Sequence, residues 1–398
     1  MSFRTADLPN VERMELRIDA MANGGDGIAR RDGKAVFVPG GIPGDLVEAR
    51  IVSAKKRFER AEIESILEPS PDRVDAPCRF FDRCGGCTWQ YASYEAQLRW
   101  KAETVAGQLR HLGGIESVEV RDIIAPGPAY NYRNRIDLQV DRGRPALYAA
   151  GSHDLVPIDV CIIAEHDLVE LFGRLGDLSG VEQLSIRTGS NTGETVVVLD
   201  GELPASADDW GVPFGGDDIT FHEEVAGAVF QITGTAFFQV NTPGAEALVE
   251  LVAEAAAVAA DDRVLDAYAG GGLFTRTVAS AGAEVTAIES DELALEDLLV
   301  NSEAAVIEAD VADALRELPG DWDVVIVDPP RSGLGPDVTE SLIRLRPQTI
   351  ASVSCDPASF ARDASELVDG GYRLEWVQPV DMFPQTPHIE TVARFTRA

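Results

Sequence analysis

Between residues 263 and 355 short apolar runs alternate with amphipathic ones, and this alternation constrains the fold more than any other feature. RVLDAYAG, AEVTAIES, AVIEAD, DVVIVDPP and TIASVSC read as strands, and segments 273–281, 291–301 and 358–368 as helices. Strands that are apolar on both faces, with helices between them, require a mostly parallel sheet covered on both sides. The last two segments, RLEWVQPVDMFPQT and HIETVARFTR, read as a closing antiparallel pair. Residues 241–398 are therefore expected to form a Rossmann-like α/β domain.

Ligands of such sheets bind at the carboxyl ends of the strands. DAYAGGGLF (266–274) is a strand, a glycine turn and a helix start. Glycines let the backbone approach a ligand, and the helix start offers free N–H groups. The spaced G-x-G-x-x-G of a dinucleotide site is absent, and the looser turn suits S-adenosylmethionine, which has no pyrophosphate to hold. Glu289 ends the next strand 19 residues after Gly270, where an acid commonly accepts bonds from ribose hydroxyls. Asp310 and Asp328 stand where the third and fourth strands end.

The fifth strand ends in SVSCDP (352–357). A cysteine buried in a sheet is usually a small apolar residue. Cys355, at a strand tip on the rim of a methyl-donor site, is a candidate nucleophile. The chemistry that needs both is methylation at C5 of a pyrimidine. Thiolate addition at C6 makes C5 enolate-like, and a base must afterwards remove the C5 proton. Glu390, in PHIET (387–391), is the candidate base.

The rest of the chain divides in two. Residues 13–68 are short alternating runs broken by turn signals such as Asn23-Gly24-Gly25-Asp26-Gly27, which suggests an OB-like barrel over 1–68. Pro69-Ser70-Pro71 opens a β-rich central domain, 69–240. It begins with a helix at about 93–113 that carries Leu98, Ala102, Val105 and Leu109 on one face. That helix is a candidate to pack on the catalytic domain.

The formal charge of −33, from 67 acids and 34 bases, argues against bulk non-specific nucleic-acid binding. It directs RNA to two basic islands, AKKRFER (54–60) and YRNRIDLQVDRGR (132–144). With no signal peptide and no apolar run of membrane-spanning length, the expected location is the cytoplasm, with no membrane partner. Disulfides are not expected there. Cys78, Cys84, Cys87 and Cys161 instead suit a zinc ion or an iron–sulfur cluster, and spacing alone does not choose between them.

AFFQVN (236–241), DAYAGGGLF, DPPRSG (328–333), SVSCDP and DMFPQTPHIE (381–390), with YNYRNR (130–135), resemble the motifs of the RNA uracil-5 methyltransferases. That family makes 5-methyluridine in tRNA and 23S rRNA. The resemblance covers nearly the whole chain and implies that the barrel is a TRAM domain. It implies Cys355 as nucleophile and Glu390 as general base. It gives donor contacts to Gln239, Tyr268, Glu289 and Asp328, with Asp310 beside them. It further implies a [4Fe–4S] cluster on Cys78, Cys84, Cys87 and Cys161. Leu273 departs from the polar residue found after the glycines in some members. RNA is the expected partner, held by the barrel and the Arg133/Arg135 island with the target uridine out of its stack. The chain is expected to act as a monomer. Two other readings are an RNA-binding iron–sulfur protein without catalysis and a cytosine-5 methyltransferase. The first is opposed by the joint presence of Cys355 and Glu390. The second is opposed by the four cysteines and the HIE ending.

Overall fold

A computed structural model describes residues 13–398; the first twelve residues of the expected barrel segment lie outside it. Strands β1 (Arg13–Met21), β2 (Gly27–Arg31), β3 (Lys34–Val38), β4 (Leu46–Ala54) and β5 (Phe58–Glu68) close into a barrel in the order β1-β2-β3-β5-β4. Alternation puts Leu16, Ile18, Val36, Val38 and Val47 inside, with Ala29, Ala49 and Ala61 where space is short. Gly27 is required by contact: a Cβ there would lie 2.5 Å from the Gly41 carbonyl oxygen.

Helix α1 (Tyr94–His111) follows, capped by Ser93, and then a two-residue strand, β6 (Glu119–Val120). The central sheet comprises β7 (Arg135–Asp141), β8 (Arg144–Tyr148), β9 (Leu155–Pro157), β10 (Val181–Thr188), β11 (Thr195–Gly201) and β12 (Phe214–Gly215), in the order β12-β11-β10-β7-β8-β9. Helix α2 (His166–Phe172) covers it, and β13 (Thr220–Val225) with β14 (Ala228–Thr233) forms a separate hairpin.

The remaining elements are α3 (Thr242–Ala256), β15 (Arg263–Ala267), α4 (Leu273–Ala279), β16 (Glu284–Glu289), α5 (Glu292–Asn301), β17 (Ala305–Glu308), α6 (Val311–Glu317), β18 (Val324–Val327), α7 (Gly335–Leu345), β19 (Thr349–Ser354), α8 (Pro357–Asp369), β20 (Tyr372–Val380) and β21 (Glu390–Arg397). The sheet runs β17-β16-β15-β18-β19-β21-β20-β6. It is parallel from β17 to β19, and β21 lies antiparallel between β19 and β20. The order reverses between β15 and β18, which leaves a crevice at their carboxyl ends.

Two elements from before residue 240 complete this α/β layer. Strand β6 pairs with β20, and α1 packs Val105 and Leu109 into the core that also holds Phe360, Ala361 and Ala364 of α8. Leu98 and Ala102 of the expected stripe are only half-buried; Gln97 and Lys101 are buried instead. Those two polar side chains are tolerated because the Gln97 amide and the Lys101 amine find partners, described below. No helix among the described residues is long and apolar enough to cross a membrane.

Candidate active site

The crevice at the strand-order reversal holds a cleft of about 430 Å³ lined by Gln239, Tyr268, Gly270, Glu289, Asp291 and Asp328, with Phe237 and Leu273 among its apolar walls. Gly270 and Gly272 take φ of +55° and +91°, which glycine adopts without steric cost. Glu289 fixes the turn: one carboxylate oxygen accepts Gly270 N–H at 2.8 Å, the other Ser290 and Asp291 N–H at 2.6 and 2.8 Å. The first of these oxygens, with one donor, retains a lone pair for a ligand. The expected donor contacts Gln239, Tyr268, Glu289 and Asp328 thus face one cavity. Asp310 does not line it. It is exposed and caps α6, accepting from Ala312 and Asp313 N–H. Burial first, and then the Asp310 charge, push the Tyr268 phenol up to about 12.

Cys355 follows β19 directly, and Asp356 caps α8 by accepting from Ala358 N–H at 3.0 Å and Ser359 N–H at 2.7 Å. Register pairs Ser354 with Thr391, so Cys355 and Glu390 come next to one another across β19 and β21. Glu390 is buried, 6% exposed. Burial, then the Asp328 charge, hold its carboxyl well above the usual range. Burial, then Glu390 and Asp328, push the Cys355 thiol up to about 12; the Arg331 guanidinium pulls both groups the other way. Burial pushes Asp328 itself up to about 7.

A second pocket, of about 380 Å³, shares Gln239 and Phe237 with the cleft and adds Arg133, Arg331, Phe383, Thr386 and His388. Phe237 is 66% exposed, an aromatic face open to a planar partner. Burial, then Arg331, Lys101 and Arg133, lower His388 to about 4, so its imidazole is neutral at physiological pH. Phe237, Arg331 and His388 all lie inside recognisable motifs, yet sequence reasoning assigns them no role. Their only signal is proximity to Gln239, Asp328 and Glu390 along the chain.

Cys78, Cys84, Cys87 and Cys161 line one cavity of about 200 Å³, walled by Phe80, Ile136, Ile158 and Ile163. None is in a disulfide. Burial raises Cys84 and Cys161, and raises Cys87 to about 12. Among the described residues no three His, Cys, Asp or Glu side chains close round a point that would hold a single metal ion.

A sheet of this order, with a donor-sized cleft at its reversal and a thiol on the same rim, defines an S-adenosylmethionine-dependent methyltransferase. Comparison with known proteins narrows the class. A TRAM domain model matches residues 10–63, and a tRNA (uracil-5-)-methyltransferase model matches residues 320–397. An uncharacterized RNA methyltransferase of Gloeobacter violaceus is 38% identical, over 96% of this chain and 96% of its own. Another, of Halalkalibacterium halodurans, is 32% identical over 99% of both. The crystal structure of Pyrococcus abyssi tRNA (uracil-54, C5)-methyltransferase with S-adenosyl-L-homocysteine superposes with a TM-score of 0.76 at 27% identity, covering 96% of this chain and 99% of that one. The chain belongs to the TRAM-containing RNA (uracil-5-)-methyltransferase family.

Proposed function

We propose that the chain forms 5-methyluridine in RNA by covalent catalysis, with Cys355 as nucleophile and Glu390 as general base. The observation that carries this reading is the register that sets Cys355 beside Glu390, both within reach of the charge of Asp328, which lines the cleft. S-adenosylmethionine, held by Gln239, Tyr268, Glu289 and Asp328, supplies an electrophilic methyl group. The Cys355 thiolate adds to C6 of a uracil that has left its stack. The C5 carbon, now enolate-like, takes the methyl group. Glu390 then accepts the C5 proton, the C6–S bond breaks, and the electron pair returns to the sulfur. A carboxylate with a raised pKa is the stronger base for that step. Arg331 offsets the negative charge that gathers on the thiol and the acid.

A tRNA uridine is the first substrate to test, given the likeness to the archaeal tRNA enzyme; 23S rRNA is the second. The barrel and the Arg133/Arg135 island would hold the RNA. Four thiols face one apolar-walled cavity, and on the family resemblance we propose that they hold a [4Fe–4S] cluster. Analysis of anaerobically purified protein should find about four irons and four sulfides per chain, and a loss of both in Cys84→Ala.

The decisive experiment supplies methyl-labelled donor with unmodified tRNA and rRNA in separate reactions, followed by nucleoside analysis. Label in 5-methyluridine is expected. Cys355→Ala should abolish both that label and the covalent adduct with 5-fluorouridine RNA, in which no C5 proton is available to leave. An adduct that persists without Cys355 removes it as the nucleophile. Glu390→Gln should leave methylated RNA attached to protein.

A further inference from the structure

Nine residues, 381–389, separate β20 from Glu390 at the head of β21. Their course is irregular, and Gln385 sits in the left-handed region at φ +69°. A non-glycine residue stays there only where its surroundings over-determine it, and such strain gathers at functional sites. Here the surroundings come largely from outside the α/β chain. Gln97 of α1 is fully buried. Its Nε2 donates to Gln385 Oε1 at 3.0 Å, and its Oε1 accepts from Gln385 N–H at 3.0 Å. The same amide donates to Trp89 and Ala92 carbonyls, so both of its ends are occupied.

Four residues on, Lys101 is equally buried. Its Nζ donates to Asp381 Oδ1 at 2.6 Å and to the Phe383 carbonyl at 3.0 Å. Thr88 and Trp89 N–H close on the Gln385 carbonyl at 2.9 and 3.0 Å, and Tyr132 Oη donates to the Pro384 carbonyl at 3.1 Å. A buried amine and amide on the inner face of a helix are a poor route to stability, because apolar residues of the same size pack there without desolvating charge. What they add is one defined conformation for the segment they grip, and that segment ends on Glu390.

We propose that Gln97 and Lys101 are positioning residues for the step in which the C5 proton leaves. They act through the 381–389 loop and touch neither donor nor uridine. The proposal rests on the reading of Glu390 as base and extends it to a part of the chain remote in sequence.

The test separates formation of the covalent complex from its release in the full-length protein. Lys101→Met alone leaves Asp381 buried without a counter-charge. The pair is therefore replaced as Lys101→Met/Asp381→Leu, an exchange that commonly keeps stability, and Gln97→Leu is made alongside. Unfolding midpoints verify that both fold. In single turnovers with labelled donor and tRNA, we expect release of methylated RNA to slow by about 10- to 100-fold, with methylated RNA building up on the protein. Adduct formation with 5-fluorouridine RNA needs no C5 proton and should stay near the wild-type rate. Normal release in the folded variants overturns the proposal. An equal fall in adduct formation and release also overturns it, since a general structural defect slows both. Glu390→Gln run in parallel separates the two ideas. If it releases normally while the loop variants accumulate complex, Glu390 falls as base and the loop stands as the element that positions the releasing group.

Discussion

At the rim where Cys355 sits, the thiol and the Glu390 carboxyl group share one guanidinium. Cys355, Glu390 and Asp328 are each raised by burial, and Arg331 is the cation that lowers the first two. Both groups act deprotonated in the proposed reaction, so activity should be low at acid pH and climb as pH rises. Arg331→Met should move that climb to higher pH in a kcat/KM profile; an unmoved profile would mean that its charge is not coupled to the thiol or the acid. Asp266 gives a different pH effect. It is wholly buried, Thr275 Oγ1 donates to one oxygen at 2.6 Å, and the other has no hydrogen-bond partner among the described residues. Burial raises it from 3.8 to about 7. Between those values the folded chain keeps a proton that the unfolded chain has lost, so stability falls as pH rises from about 4 to about 7. Urea unfolding across that range should show a shallower slope for Asp266→Asn.

The strand–thiol–helix element is local in its logic. Asp356 caps α8, and Pro357 fits the first helical position, where no N–H is needed. The sequence S-C-D-P therefore ends a strand, places a half-buried thiol at its tip and starts a helix within four residues. Asp356→Ala should cost about 1 kcal/mol of stability by loss of the cap, readable in chemical denaturation, and should slow adduct formation because the cap sets the position of Cys355. Helix α1 was only partly legible. Its apolar period identifies Val105 and Leu109, which are buried. A hydrophobicity pattern assigns Gln97 and Lys101 to the solvent face, and only the 381–389 loop, distant in sequence, turns them inward.

Across the whole molecule, the barrel reaches the rim that carries Cys355. Asn23 Nδ2 donates to Asp356 Oδ2 at 3.2 Å, Trp89 Nε1 donates to the Gly25 carbonyl at 3.1 Å, and a Cβ on Gly25 would lie 3.0 Å from the Pro387 ring. Arg73, just beyond the barrel, pairs at 2.6 Å with the fully buried Asp45 inside it. A net charge of −33 acts over the same scale with two opposite consequences. Self-repulsion opposes the compact state and is screened by salt; phosphate contacts depend on counterion release and are weakened by it. Raising salt from about 0.05 to about 1 M should raise Tm while lowering RNA affinity. Parallel thermal melts and filter-binding titrations would read both, and a Tm that falls with salt would show that specific ion pairs outweigh the net repulsion.

What this sequence determines by itself is whatever depends on neighbours a few residues apart. That includes the strand–helix alternation, the glycine turn of 266–274, the capped thiol at 352–357 and the barrel's turns. Tertiary structure decides what depends on distant segments meeting. Glu390 is thirty-five residues beyond Cys355, and they become neighbours only because β21 inserts antiparallel between β19 and β20. Asp310 looked equivalent to Asp328 as an acid at a strand end. Helix α6 engages one oxygen of its carboxylate as a cap, and Asp310 does not line the cleft, although its charge reaches Tyr268. The four cysteines, spread from 78 to 161, face one cavity because the chain folds back between them. Burial, register and the satisfaction of buried polar groups are properties of the whole packed chain, and no local window of sequence contains them.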